Sequence, residues 1–283
     1  FYGGGNWHLG KSLVDPLRDN NDPRLPYMAK TSAGGTIAWN KPTEGDGVAL
    51  FDKHVEYLTG VLDDQDAVYT KTANGDGYTI TMPAGVNYIG QPTRLNAKIK
   101  HMLDRNLFSE PAAIVTNAHN SGNPIYPRIV FPAAESHFLI AEAITLGLAG
   151  GDAQSFYQDG LRHAMALWDV PSSEVENFIA TSDMAKLNGS SEQNMEKIAT
   201  QKWLVHYTDG FEAWAIVRDT GYPSVLANGV SDPDIYGLGE LDGAYPQRFQ
   251  YPTGMYTNNE SNLQSALSTQ GPDKLATKLW WAK

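Results

Sequence analysis

The sequence predicts a mainly α fold of tetratricopeptide-like helical hairpins that carry long irregular loops and one small β-hairpin. Three observations lead there. Between Ala133 and Tyr207, apolar residues recur at the three- and four-residue spacing that lines one helix face. Between Ala67 and Met82 the pattern switches to alternation on either side of Asn74-Gly75-Asp76-Gly77, the signature of two strands and their turn. Elsewhere Gly, Pro, Asn and Asp are too dense for long regular elements, as from Asp19 to Met28.

Residues 1–50 leave room only for short strands or loops. Val48, Phe51, Val55 and Leu58 then permit a short helix ending near Leu62. Within residues 63–92, Ala67 to Lys71 and Tyr78 to Met82 form the arms of the hairpin, and Pro83 to Pro92 is a loop. From Pro132 the character turns helical. A first long helix spans Ala133 to Ala149, and Asp152 in the following turn can cap a second, Ala153 to Trp168, striped by Tyr157, Leu161, Ala164, Met165 and Trp168. Ile140, Ala141, Ile144, Ala153 and Tyr157 fit part of the tetratricopeptide pattern, and Gly160 suits two helices in close approach.

Ser173 with Glu176 reads as a capping box for a third, short helix, followed by a polar linker from Asp183 to Ser191. Two helices then flank a break at Thr208-Asp209-Gly210. The first, Ser191 to Tyr207, lines up Met195, Ile198, Ala199 and Trp203. The second is capped by Asp209, with Glu212 completing a box, and takes Phe211, Trp214 and Ala215 as its apolar face. Gly221 and Pro223 stop it. Residues 224–260 return to loop, and a last helix covers Ser261 to Gln270. The chain thus divides into a loop-rich stretch (1–131), a stretch of helical hairpins (132–223) and an irregular end (224–283) of one domain.

Composition narrows the function. A net charge of -11 argues against a nucleic-acid partner, because a phosphate backbone needs a basic face. The absence of cysteine removes disulfides, thiolate catalysis and Cys-ligated metals. The longest apolar stretch, Phe138 to Gly151, is interrupted by Glu142 and falls short of the ~20 residues that span a bilayer. Phe1-Tyr2-Gly3 has neither a Met nor a basic region before an apolar run, so the chain is expected to begin inside a longer precursor.

Motifs for chemistry are few. Gly5 to Ser12 (GNWHLGKS) matches the phosphate-loop pattern letter for letter. Its context disagrees: no buried strand fits before it, Pro16 follows closely, and Trp7 and His8 crowd the loop. Asp232, Asp234 and Asp242, with Glu240, are candidate calcium ligands by their spacing, yet the closing bidentate Glu is missing, and a solvated acidic loop fits as well. No His pair has zinc-helix spacing, and His137, His163 and His206 read as packing or surface residues. No nucleophile elbow occurs. A glycosidase carboxylate pair leaves no local mark, and nothing singles one out.

What remains is aromatic. Trp7, Trp39, Tyr69, Tyr78 and Tyr88, the last beside Asn87 and Gln91, lie on irregular segments. Ring faces flanked by amides suit a neutral polar ligand such as a glycan, stacking on C–H faces while amides satisfy hydroxyls. Trp39, Tyr69, Tyr78, Asn87, Tyr88 and Gln91 are therefore the candidate ligand-binding residues. The competing reading is that each ring pins its own loop to the helical body.

Several segments, in order along the chain, resemble the SusD/RagB family of nutrient-binding outer-membrane lipoproteins, in its SusD-like branch. They are Asn21 to Pro26, Glu135 to Ala143, Ile198 to Leu204, Gly210 to Trp214, Arg218 to Pro223, Pro246 to Tyr256 and Lys274 to Lys283. The resemblance implies a helical scaffold whose loops form a ligand surface, with no catalysis and no organic cofactor. It also implies a place on the Bacteroidota cell surface, as a lid on a SusC-like TonB-dependent transporter barrel that receives oligosaccharides or, in some branches, peptides. Two departures stand out: the family's lipidated cysteine and its helical N-terminal half are missing here. The chain is thus expected to be the C-terminal portion of a longer protein, anchored by a lipid this sequence does not carry. The rival expectations are a structural subunit of an outer-membrane assembly and a glycoside hydrolase.

Overall fold

The computed structural model describes residues 7–282. Its elements in order are α1 (Lys11–Asp19), α2 (Leu25–Met28), β1 (Gly35–Trp39), α3 (Gly47–Asp63), β2 (Thr70–Asn74), β3 (Gly77–Met82), α4 (Ala113–Thr116), α5 (Ala133–Thr145), α6 (Ala153–Ala166), α7 (Ser172–Thr181), α8 (Ser191–Val205), α9 (Gly210–Thr220), α10 (Ser224–Ala227), α11 (Thr253–Asn258) and α12 (Glu260–Gln270). The mainly α class holds. Residues 1–50 are more regular than expected: α1 forms although Pro16 lies inside it, because Leu13, Val14 and Leu17 are drawn into the core.

Two apolar cores organise the chain. In the first, Phe138 and Ala141 of α5 meet Tyr157, Leu161 and Met165 of α6, Ile198 and Leu204 of α8, and Leu17 of α1. Gly160 is required there, since a Cβ would collide with the Phe138 ring. In the second, Phe51, Val55, Leu58 and Leu62 of α3 pack on Ile37 and Trp39 of β1 and Ile80 and Met82 of β3. The expected hairpin gains a strand: β1 pairs antiparallel with β3 on the side opposite β2, in the order β1-β3-β2.

Polar contacts fix the layers. Asp22 and Arg24, both 1% exposed at the side chain, form a two-point ion pair (Oδ1–Nε 2.9 Å, Oδ2–Nη2 2.5 Å), and Nη2 also donates to Gln201 Oε1 on α8 at 2.6 Å. Such a pair persists only where every donor and acceptor is met. Across α5 and α8, Lys202 Nζ lies 2.7 Å from Glu142 and His206 Nε2 lies 3.1 Å from Glu135.

Helix ends sort the sequence signals. Asp152 accepts the Gln154 N–H and Asp209 accepts those of Phe211 and Glu212, as expected of caps, and Gly221 closes α9 in the left-handed region at φ 75°. The two expected capping boxes do not form. Asp209 caps α9 without a reciprocal bond from Glu212, and α7 begins after Pro171 with no side-chain cap, its Glu176 holding Arg162 at 2.7 Å instead. The capping box lies at Ser190 and Gln193, opening α8.

Candidate functional site

Three segments distant in sequence meet around a cavity of about 640 Å³. The first is Trp7, just before α1 and 45% exposed. The second is the stretch from Ile114 to Arg128, where Val115 is buried and the Tyr126 N–H donates to Ile114 O at 2.7 Å, folding the loop back on α4. Asn117 closes the same loop by donating from Nδ2 to Pro124 O at 2.7 Å. The third is Thr208 and Phe211 at the α8–α9 break, where the Asp209 cap sets the first turn of α9 and leaves Phe211 71% exposed.

The cavity's aromatic wall is anchored from behind. Tyr126 stacks on Trp168 (centroids 4.3 Å, interplanar 19°), and Trp168 is itself 7% exposed against the helical core and tilts over Tyr207. Burial pushes the Tyr126 hydroxyl up to about 12, with Arg24 pulling the other way, so it stays a neutral phenol at any physiological pH. Asn117, His119, Arg128 and Thr208 supply the polar rim; among the described residues no Asp or Glu lines the cavity. One anchored ring beside two exposed ones, with a few polar groups around them, suits a polar ligand that has apolar faces.

The residues expected to bind ligand do not converge on this cavity. Trp39 is wholly buried and donates from Nε1 to Met102 O at 3.0 Å, which corrects its assignment: a ring enclosed in the α3–sheet core has no face for a ligand. Asn87 is also corrected, because it is buried and its amide bonds both the N–H and the C=O of Val68. Tyr69 donates to Asp63 Oδ1 at 2.7 Å, Tyr78 stacks on Phe51 beneath Lys71, and Tyr88 packs against the helical core. Gln91 lines a smaller cavity of about 390 Å³ with Arg94 and Lys100.

The carboxylates expected to hold calcium are met by a lysine. Lys53 Nζ sits 2.9 Å from Asp232 Oδ2 and 2.7 Å from Asp234 Oδ2, so an ammonium fills the place between the carboxylates. Asp242 stands exposed on a left-handed turn at φ 48°. Among the described residues no group of three or more His, Cys, Asp or Glu is placed to hold a metal ion. The acidic loop is instead a clamp on α3, where His54 Nε2 also lies 2.9 Å from Asp234 O and the Tyr57 and Tyr236 hydroxyls meet at 3.0 Å. In the phosphate-loop match, Gly5 and Asn6 lie outside the described residues, and Lys11 Nζ is bound to Asp15 at 2.6 Å.

Of the cavity residues, Trp7 was legible as a loop aromatic. Phe211 was misread as part of the apolar face of α9, since its position one residue after the break turns it outward. Tyr126 and Arg128 were missed; the turn-rich run Asn120-Ser121-Gly122-Asn123-Pro124 ahead of Ile125-Tyr126 was the available signal.

Comparison with solved structures gives the fold a context. A SusD homologue from Bacteroides fragilis NCTC 9343 superimposes with a TM-score of 0.67 at 22% identity, covering 98% of this chain and 52% of that one. One from Bacteroides uniformis ATCC 8492 gives 0.65 at 23% identity, with coverages of 98% and 50%. A chitin-binding protein gives 0.65 at 22% identity, with coverages of 97% and 50%. The chain therefore spans about half the length of the structures it matches. No curated protein matches it. The sequence itself matches, over residues 51–252, the family described as "Starch-binding associating with outer membrane". With that match across most of its length and this helical scaffold, the chain belongs to the SusD-like family.

Proposed function

We propose that the protein captures an oligosaccharide at the outer-membrane surface and passes it to a SusC-like TonB-dependent transporter barrel, without catalysis. The observation that carries this reading is the cavity between Trp7, Tyr126 and Phe211. Its rings offer stacking faces, and its rim offers an amide, a hydroxyl, an imidazole and a guanidinium. Hydrolysis of a glycosidic bond calls for two carboxyl groups roughly 5 to 9.5 Å apart, and the described residues of this lining include none. The family description and a structural neighbour that binds chitin support a sugar ligand. Attachment to the membrane through a lipid anchor, as the family resemblance implies, is part of the same proposal.

Isothermal titration of the chain against a panel of oligosaccharides and a peptide mixture tests the ligand class. Heat from at least one oligosaccharide, with no product formed, is the expected result. Heat from peptides alone would move the reading to peptide capture, and no heat from any ligand would leave a structural subunit. Co-purification with the transporter barrel tests the hand-off.

A further inference from the structure

The chain has eight arginines, and their partners differ in a telling way. Arg18, Arg24, Arg105, Arg162 and Arg248 each hold a carboxylate. Arg94 and Arg218 donate to the carbonyls of Gly243 and Gln247. Arg128 has no hydrogen bond or ion pair among the described residues, and it lines the cavity of about 640 Å³. The protein carries 32 acidic residues against 21 basic ones, so carboxylates are plentiful, yet none is placed beside this guanidinium. An uncommitted guanidinium thus stands beside aromatic walls in a lining free of negative charge.

Resting on the glycan-capture reading, we infer that this cavity takes an acidic oligosaccharide, whose carboxylate pairs with Arg128 while its ring stacks between Trp7 and Phe211. The planar guanidinium presents parallel N–H donors that match the two oxygens of a carboxylate, as a uronic acid provides. Tyr126, Ile125 and Phe211 stand beside the guanidinium and give the sugar ring an apolar surface to lie on while the carboxylate is held. His119 and the Asn117 Oδ1, whose Nδ2 is already committed to Pro124, are left for the sugar hydroxyls.

The test is titration of the chain with tetragalacturonate and with its methyl ester, which keeps the ring and removes the charge. The acid is expected to bind about tenfold or more tightly than the ester, the worth of one charge-assisted bond. Arg128→Gln should abolish the preference and Arg128→Lys should restore only part of it, both without a change in melting temperature, since Arg128 is exposed. Equal affinity for acid and ester overturns the inference and leaves glycan capture standing. An acid preference that survives in Arg128→Gln also overturns it, because the anion then sits elsewhere. Failure of every oligosaccharide overturns both readings, and binding of a peptide carboxylate alone assigns Arg128 to a peptide ligand.

Discussion

Trp39 and Phe211 are both bulky aromatics near irregular chain, and they have opposite fates. Trp39 ends β1, where strand alternation turns it inward, and its indole N–H finds a carbonyl in the core. Replacing it by Ala should lower stability by about 3 to 5 kcal/mol in urea denaturation. Phe211→Ala should leave the melting curve unchanged and weaken oligosaccharide binding by about 1 kcal/mol, read by titration. Arg24→Met strands the buried Asp22 carboxylate and should destabilise by about 3 to 5 kcal/mol. Tyr126 adds a pH dependence. Its folded value of about 12 lies above the ~10 of an unfolded tyrosine, so its contribution is whole below pH ~10 and vanishes as the pH approaches 12. Thermal melts across that window should fall for the native chain and fall less for Tyr126→Phe.

At the scale of elements, the hairpins were the legible part. Helical spacing, the Asp152 and Asp209 caps and the Gly221 stop are local signals, and the structure keeps them. Gly160 was read correctly because a missing side chain inside an apolar stripe has few other uses. Gly160→Val should cost about 1 to 3 kcal/mol through displacement of the Phe138 ring, with loss of near-ultraviolet circular dichroism as its signature. β1 was not legible, because its five residues follow Gly34 and acquire a partner only from β3, some forty residues on. The binding cavity was harder still. It joins residue 7, a loop near 120 and a helix start at 211, and sequence alone does not bring these together.

For the whole molecule, the irregular C-terminal segment is a strap that reaches from α3 to α9. Asp232 and Asp234 clamp α3, while the carbonyls of Pro246 and Gln247 receive the side chains of Trp214 and Arg218 from α9. Deleting residues 224–282 should uncover these faces, abolish a single sharp melt and produce binding of an apolar dye; an unchanged melt would show the strap to be dispensable. The acidic cluster that resembled a metal loop in one dimension is thus a fastening in three, because its counter-ion, Lys53, lies 179 residues earlier.

The bond from Arg24 to Gln201 joins residues 177 positions apart. During synthesis at ~5 to 20 residues per second, the arginine is made roughly 10 to 35 s before its partner exists. For that interval the first helices can be only provisionally placed, and α8 is the piece whose arrival lets the helical core close. Translation speed over residues 25–201 therefore sets how long the nascent chain is vulnerable to chaperones and proteases.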